Sequence, residues 1–232
     1  MDNDELAAIQ FTVTPINFNG NVKFTPYLDA KVHNHDSNYD EFFWEADSQK
    51  VDAQKAYVCA RTKKTGFSVA TAMRFSFWEN DTLLTIHPNS ESRPFFVANN
   101  FEHFLEKGNA YTLKKYISVV STVHHSEFSV IPRAINNVRE AYVAGFPKLL
   151  LQHEQAWEKI WEKSDIVIDG DLASQQGIRF NIFQLYQTYT GKHAQLNIGP
   201  KGFTGEKYGG ATYWDTEAYC LPFYLKTADP SV

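Results

Sequence analysis

The sequence has 232 residues, 43% of them hydrophobic, which suffices for one large domain or two small ones with a packed core. Its formal charge is −5 without any basic block, which argues against nucleic acid and anionic membranes as partners. The N-terminus is acidic where a signal peptide would be basic, and no apolar run reaches about 18 residues. These features predict a soluble, cytoplasmic protein.

Alternation of apolar with small or polar residues predicts β-strands in the first part of the chain. Residues 67–77 and 111–123 both alternate in this way, with one apolar face expected on each strand. Turn residues separate the strands at 19–21, 64–66 and 107–109. The pattern predicts an antiparallel β-sandwich over residues 1–131.

After Pro132 the apolar spacing becomes helical. Residues 133–144 are predicted to form a short helix that Gly145 ends, and Pro147 fits the first turn of a second helix. That second helix carries an apolar face that includes Trp157. A short β-like segment at 166–169 follows. We therefore interpret residues 132–170 as a helical linker.

The apolar pattern in the last part of the chain predicts two more helices. Asp171 is placed to cap a helix that runs to about Thr190 and is apolar nearly all round, so we expect it to be buried. Residues 213–226 form a further apolar segment, which we expect Pro222 to break. We expect these helices to expose the apolar faces around four residues that lack packing partners: Phe183, Tyr186, Tyr219 and Phe223.

The richest chemical motif lies between residues 199 and 217. Its first part, the loop 199–210, contains five glycines and two lysines. This composition is compatible with an anion-binding loop or with a flexible connection between helices. The loop lacks the spacing of a nucleotide-binding Walker A motif. Its role stays open at this point.

The second part of the motif, Trp214 and Asp215, is typical of sugar binding. A carboxylate accepts hydrogen bonds from two sugar hydroxyls, and an indole offers a flat apolar face. Glu217 lies two residues further on, about 200° away around a helix, so it cannot pair with Asp215 as acid and base at one bond. For Glu217 a structural hydrogen bond or cap is favoured slightly over substrate contact. The histidines and cysteines show no metal-binding spacing, so we expect no metal site.

Three stretches, in this order, resemble glycoside hydrolase family 65: RFNIFQL at 179–185, LNIGPKGFTG at 196–205 and YWDTEAY at 213–219. The resemblance implies an N-terminal β-sandwich, a helical linker, an (α/α)6 barrel and a small C-terminal β domain. The chain would then be an α+β multidomain fragment. It would hold the later part of the sandwich, the linker, and the first barrel helices at residues 171–232.

The resemblance also implies the inverting phosphorolysis of an α-linked glucosyl disaccharide. Maltose is the favoured substrate; kojibiose, trehalose, nigerose and a related hydrolase activity are alternatives. Inorganic phosphate would be the co-substrate, without a metal or organic cofactor, and the parent enzyme would be a homodimer. A non-catalytic carbohydrate-binding module, suggested by the 15% aromatic content, is an alternative of another class.

In the family a Trp-Asp pair recognises the glucose at the cleavage point, and the resemblance carries this role onto Trp214 and Asp215. The family's general acid is a Glu farther along the barrel, expected beyond Val232, and its phosphate-binding residues come later still. We therefore expect no catalytic residue in this chain and no activity from it alone.

Overall fold

The computed structural model describes residues 2–33, 41–191, 198 and 213–228. The described chain forms two compact units. The first, which we call the β unit, consists of residues 2–32 and 42–153. The second, the helical unit, is built mainly from Glu154 onward. The domain boundaries at residues 131 and 170 stay predictions.

Two antiparallel sheets make up the β unit. The strands in the described residues are β1 (Leu6–Val13), β2 (Gly20–Phe24), β3 (Tyr27–Asp29), β4 (Trp44–Asp52), β5 (Lys55–Thr62), β6 (Ser68–Glu79), β7 (Thr82–Leu84), β8 (Asn89–Arg93), β9 (Phe96–Leu105) and β10 (Tyr111–Ser121). The larger sheet has the order β1-β10-β6-β5-β4, with β7 paired to the end of β6. In the smaller sheet β2, β3 and β8 all pair with β9. The predicted antiparallel β fold is confirmed.

Aromatic side chains fill the space between the two sheets. Phe75 and Phe77 of β6 are fully buried, and their rings lie 6.2 and 5.1 Å from the ring of Phe101 on β9. Phe24 of the smaller sheet stacks on Phe101 at 5.3 Å. Because strand side chains alternate, the odd-numbered residues of β6 all face this core.

The other face of the larger sheet is covered by helix α1 (Glu127–Ala144). Ala70 and Ala72 on β6 are completely buried against Val130 and Ala134 of the helix, since small side chains let a helix approach a sheet closely. The expectation of a single apolar face on this strand was therefore wrong. The expectation of a single apolar face was also wrong in part for β10. Val119 is 48% exposed, whereas three residues of the opposite face are buried: Tyr116, Ser118 and Val120.

Helix α1 begins six residues earlier than predicted and carries Pro132 inside it. Pro132 has no N–H to donate to the carbonyl oxygen of Phe128, yet packing of Val130 on the sheet keeps this turn helical. Gly145, with φ of 80°, ends the helix, and Pro147 lies in the first turn of α2 (Phe146–Ser164). Both of these predictions are confirmed.

Helix α3 (Leu172–Thr188) begins at a side-chain cap, as predicted. Asp171 Oδ1 accepts hydrogen bonds from the backbone N–H groups of Ala173 and Ser174 at 3.0 and 3.1 Å. The helix ends two residues before the predicted end. None of the described helices is long and apolar enough to cross a membrane.

The predicted β-like segment at 166–169 forms no strand. Its backbone is instead held by one side chain of α3. Gln175 Oε1 accepts a hydrogen bond from the N–H of Ile168 at 2.7 Å, and Gln175 Nε2 donates to the carbonyl oxygen of Ile166 at 2.9 Å. A side-chain amide thus supplies the donor and acceptor that a neighbouring strand would have offered.

The helical unit has its own aromatic core around Trp157, Ile182 and Tyr186. The expectation that Tyr186 exposes an apolar face was wrong, since it is only 8% exposed and its ring meets that of Phe223 at 5.5 Å. Phe183 is half-buried, with its ring 4.9 Å from that of Trp157. Helix α3 is nevertheless not buried all round as predicted: its opposite face leaves Leu172 and Phe180 exposed.

Candidate functional site

The candidate site lies on one helical segment, which starts at Trp214 and Asp215. It continues through a π-helical turn, Thr216–Cys220, into helix α4 (Leu221–Thr227). In the π-turn the N–H of Leu221 donates to the carbonyl oxygen of Thr216, five residues earlier. The expectation that Pro222 breaks this segment was wrong.

Pro222 accounts for the wide turn. It has no N–H for the carbonyl oxygen of Ala218, and its ring crowds that carbonyl in a regular α-helix. Widening the preceding turn to i→i+5 hydrogen bonds relieves the crowding without ending the helix. The proline thus changes the geometry of the residues directly before it, which are the candidate site residues.

Two hydrogen bonds fix this segment in the helical unit. The hydroxyl of buried Thr216 donates to the carbonyl oxygen of Ile198 at 2.9 Å. The hydroxyl of buried Tyr224 donates to the carbonyl oxygen of Leu185 on α3 at 2.6 Å. Burial raises the pKa of Tyr224 well above its usual range, so this hydroxyl stays protonated and keeps its role as a donor.

Trp214 and Asp215 are consecutive residues at the start of the segment. Trp214 is 68% exposed, and its ring centroid lies 6.0 Å from that of Tyr219, with 49° between the planes. Asp215 is half-buried. Burial raises the pKa of the Cys220 thiol, and the negative charge of Asp215 raises it further.

This arrangement suits a sugar ring. The exposed indole provides a stacking face, and the half-buried carboxylate is an acceptor for hydroxyl groups. Glu217 is exposed whereas Asp215 is half-buried, which fits two residues that point away from each other on a helix. The substrate-binding roles of Trp214 and Asp215 stay predictions.

Two further sequence predictions concern this region. The loop 199–210, interpreted as an anion-binding loop or a flexible connection, lies outside the described residues. Within the described ranges, no group of three or more His, Cys, Asp and Glu side chains is arranged to hold a metal ion.

Sequence reasoning missed the contact between Trp214 and Tyr219. Residues five apart are not neighbours on a regular α-helix, so helical spacing gave no reason to pair them. The signal was Pro222, because a proline within a strongly apolar helical segment requires a local change of the hydrogen-bond pattern.

Comparison with known protein families gives two matches along the chain. Residues 1–160 match the N-terminal domain of glycosyl hydrolase family 65. Residues 179–232 match the central catalytic domain of the same family. The candidate site therefore lies in the part that matches the catalytic domain.

Individual relatives agree with the family matches. The chain is 38% identical over 228 residues to maltose phosphorylase of Bacillus subtilis (strain 168), covering 98% of this chain and 30% of the relative. It is 32% identical over 235 residues to alpha,alpha-trehalose phosphorylase of Thermoanaerobacter brockii, covering 98% and 30%. The chain thus spans about 30% of the length of these curated relatives.

A solved structure shows the same fold. The protein named "Putative kojibiose phosphorylase from human microbiome" matches with a TM-score of 0.83 and 26% identity. The match covers 97% of this chain and 28% of that chain. The sequence motifs, the two family matches and this structural likeness lead to one conclusion: the chain belongs to glycoside hydrolase family 65.

Proposed function

We propose that the protein containing this chain is an inverting disaccharide phosphorylase that converts maltose and inorganic phosphate to β-glucose 1-phosphate and glucose. The observation that carries the proposal is the 38% identity to a maltose phosphorylase across 98% of the chain. The identity to the trehalose phosphorylase is lower over the same coverage, at 32%. Maltose is therefore favoured over the other α-linked glucosyl disaccharides.

In the proposed reaction a phosphate oxygen attacks C1 of the glucosyl ring on the face opposite the leaving oxygen. The bond from C1 to that oxygen breaks, a general acid protonates it, and the α linkage gives a β product. Phosphate takes the place that water has in an inverting hydrolase, so no second carboxylate need act as base. The reaction uses neither a metal nor an organic cofactor.

Trp214 and Asp215 hold the glucosyl ring in this proposal. The indole lies against the apolar face of the ring, and the Asp215 carboxylate accepts hydrogen bonds from two of its hydroxyls. The general acid is a Glu beyond Val232, so residues 1–232 alone are proposed to be inactive. The parent protein is proposed to be a cytoplasmic homodimer.

The main alternatives keep the family but change the reaction. The 32% identity to the trehalose phosphorylase supports trehalose as an alternative substrate, and the structural likeness to the kojibiose phosphorylase named above supports kojibiose. Nigerose phosphorolysis and disaccharide hydrolysis remain alternatives predicted from the family resemblance. A non-catalytic binding module has less support, because many of the aromatics that suggested it are core residues, among them Phe75, Phe77, Tyr111 and Trp157.

The test uses the full-length protein with maltose, trehalose, kojibiose and nigerose, each with and without phosphate. We expect phosphate-dependent formation of β-glucose 1-phosphate, fastest with maltose, followed by ¹H and ³¹P NMR. Faster turnover of another disaccharide contradicts the maltose assignment only. Glucose release without phosphate contradicts phosphorolysis.

Two controls complete this test. Dialysis against a metal chelator should leave the rate unchanged, and a loss that metal restores would contradict the cofactor-free reaction. Residues 1–232 alone should give no product. If they bind maltose while the full-length protein shows no turnover, the binding-module alternative is correct.

A further inference from the structure

The π-turn brings together two pairs of groups whose members are five residues apart. The rings of Trp214 and Tyr219 are in contact at 6.0 Å. The carbonyl oxygen of Thr216 accepts a hydrogen bond from the N–H of Leu221. On a regular α-helix such residues would be separated by about 140° around the axis. The contact between the two rings therefore depends on the π-turn.

Tyr219 is the aromatic ring that contacts the Trp214 indole among the described residues. Both side chains are about two-thirds exposed, so water and solutes reach the outer surface of the pair. An exposed indole at the start of a helix has several rotamers available to it. A ring packed at 49° against one side of the indole removes those rotamers that would occupy the same space.

We propose that Tyr219 is a positioning residue that fixes the orientation of the Trp214 indole, and that the π-turn before Pro222 makes this contact. This inference rests on the proposed function, because it assigns the fixed indole to the glucosyl ring. Tyr219 acts through its ring and not through its hydroxyl, and it acts on Trp214 rather than on the sugar. It is thus separate from the Asp215 carboxylate, which accepts hydrogen bonds from the substrate.

A pair of variants separates ring packing from direct sugar contact. Tyr219→Ala removes the ring, whereas Tyr219→Phe keeps the ring and removes the hydroxyl. Leu225→Ala is the matched control, since it removes an exposed apolar side chain from the same helical segment without touching Trp214. All variants are made in the full-length protein, and their melting curves establish that they fold.

The first measurement needs no activity. In protein labelled with 5-fluorotryptophan, the ¹⁹F resonance of Trp214 is assigned by its absence in Trp214→Phe. We expect this resonance to shift and broaden in Tyr219→Ala but to keep its position within the wild-type linewidth in Leu225→Ala. Tyr219→Phe should keep a single sharp line. An unchanged resonance in Tyr219→Ala overturns the inference whether or not the protein is a phosphorylase.

The second measurement is steady-state kinetics with maltose. We expect Tyr219→Ala to raise KM for maltose by about 2- to 12-fold, the range of a lost aromatic pair, with kcat nearly unchanged. KM for phosphate should not change, and Tyr219→Phe should have the wild-type KM for maltose. A Phe variant as impaired as the Ala variant, or an equal effect in Leu225→Ala, overturns the inference. A wild-type protein without phosphorolysis instead contradicts the proposed function.

Discussion

Asp215 occupies a half-buried position beside an exposed indole, and its charge is the feature that the proposed glucose subsite depends on. We expect Asp215→Asn in the full-length protein to lower kcat/KM for maltose by about 10- to 150-fold, because a hydrogen bond to a charged group contributes about 1.5 to 3 kcal/mol. Steady-state phosphorolysis measures this. Glu162→Gln, an exposed carboxylate on α2, is the control and should change kcat/KM by less than about twofold. Equal losses in the two variants would show that Asp215 has no specific role.

Glu5 is the residue that connects the first strand to the helix that covers the sheet. Its carboxylate accepts hydrogen bonds from Arg133 Nε at 2.8 Å and Asn137 Nδ2 at 3.0 Å, and it lies 2.5 Å from His125 Nε2. We expect Glu5→Gln to lower the free energy of unfolding by about 1 to 3 kcal/mol. Chemical denaturation of residues 1–232 checks this. Glu102→Gln on the exposed face of β9 should be nearly neutral, and comparable losses would contradict the role of Glu5.

The same carboxylate predicts a pH dependence. Burial alone would raise the pKa of Glu5, but hydrogen bonds from Arg133, His125 and Asn137 lower it further than burial raises it. A carboxyl whose pKa is lower in the folded state stabilises the fold above its unfolded-state pKa, here near 4.5, and this stabilisation is lost as pH falls through the folded-state value. We therefore expect the difference between wild type and Glu5→Gln to be full at pH 7 and to shrink below pH 4.5. A difference that stays constant down to acid unfolding would contradict this.

Helix α1 contains a proline in a position that a helix normally excludes. Pro132 is the sixth residue of α1, whereas Pro147 is the second residue of α2, where the missing N–H has no partner in any case. We expect Pro132→Ala to raise the free energy of unfolding by about 1 to 3 kcal/mol. Pro147→Ala is the matched control and should change the free energy of unfolding by less than about 1 kcal/mol. Urea denaturation of both variants checks this. If Pro132→Ala is destabilised, the expectation is wrong and the proline stabilises the native form of α1.

Helix ends could be predicted from the sequence where a residue at the end itself determines it. Asp171 caps α3 with its own carboxylate, and Gly145 adopts the positive φ that ends α1, so both could be recognised from the sequence. The start of α1 could not, because Val130 holds the turn around Pro132 through packing on strands far away in sequence. The buried face of β10 was missed for the same reason. A helix covers Ser118 and Val120, and the alternation of residues along the strand does not predict this helix.

The candidate site was predictable in composition but not in geometry. Trp214 and Asp215 could be singled out because an indole next to a carboxylate is typical of sugar binding. The surroundings of these residues could not be predicted, because the π-turn brings Tyr219 against Trp214 from a position that helical periodicity places elsewhere. Likewise, the hydrogen bonds of Gln175 with Ile166 and Ile168 replace a strand pairing that the apolar run alone had suggested.

Across the whole molecule, both units leave large apolar side chains exposed. They include Ile9 and Phe11 on β1, Phe180 on α3, and Leu225 on α4. Such surface favours association in water. We expect residues 1–232 to bind a hydrophobic dye and to associate with rising concentration, as followed by fluorescence and light scattering. Phe180→Ser should reduce both signals, whereas Lys159→Ser should not; a monomer with little dye binding would contradict the expectation.

The pairing of β1 with β10 determines how long β1 stays unpaired while the chain is being synthesised. Leu6 pairs with Ser118, so β1 leaves the ribosome about 110 residues before β10, its neighbour among the described strands, is complete. At about 5 to 20 residues per second this interval lasts roughly 5 to 20 seconds. During it the strand is an unpaired apolar segment, which is the kind of surface that chaperones bind. Crosslinking of ribosome-bound chains should therefore find β1 on a chaperone in chains arrested before β10 emerges and free of it once Ser121 has left the ribosome.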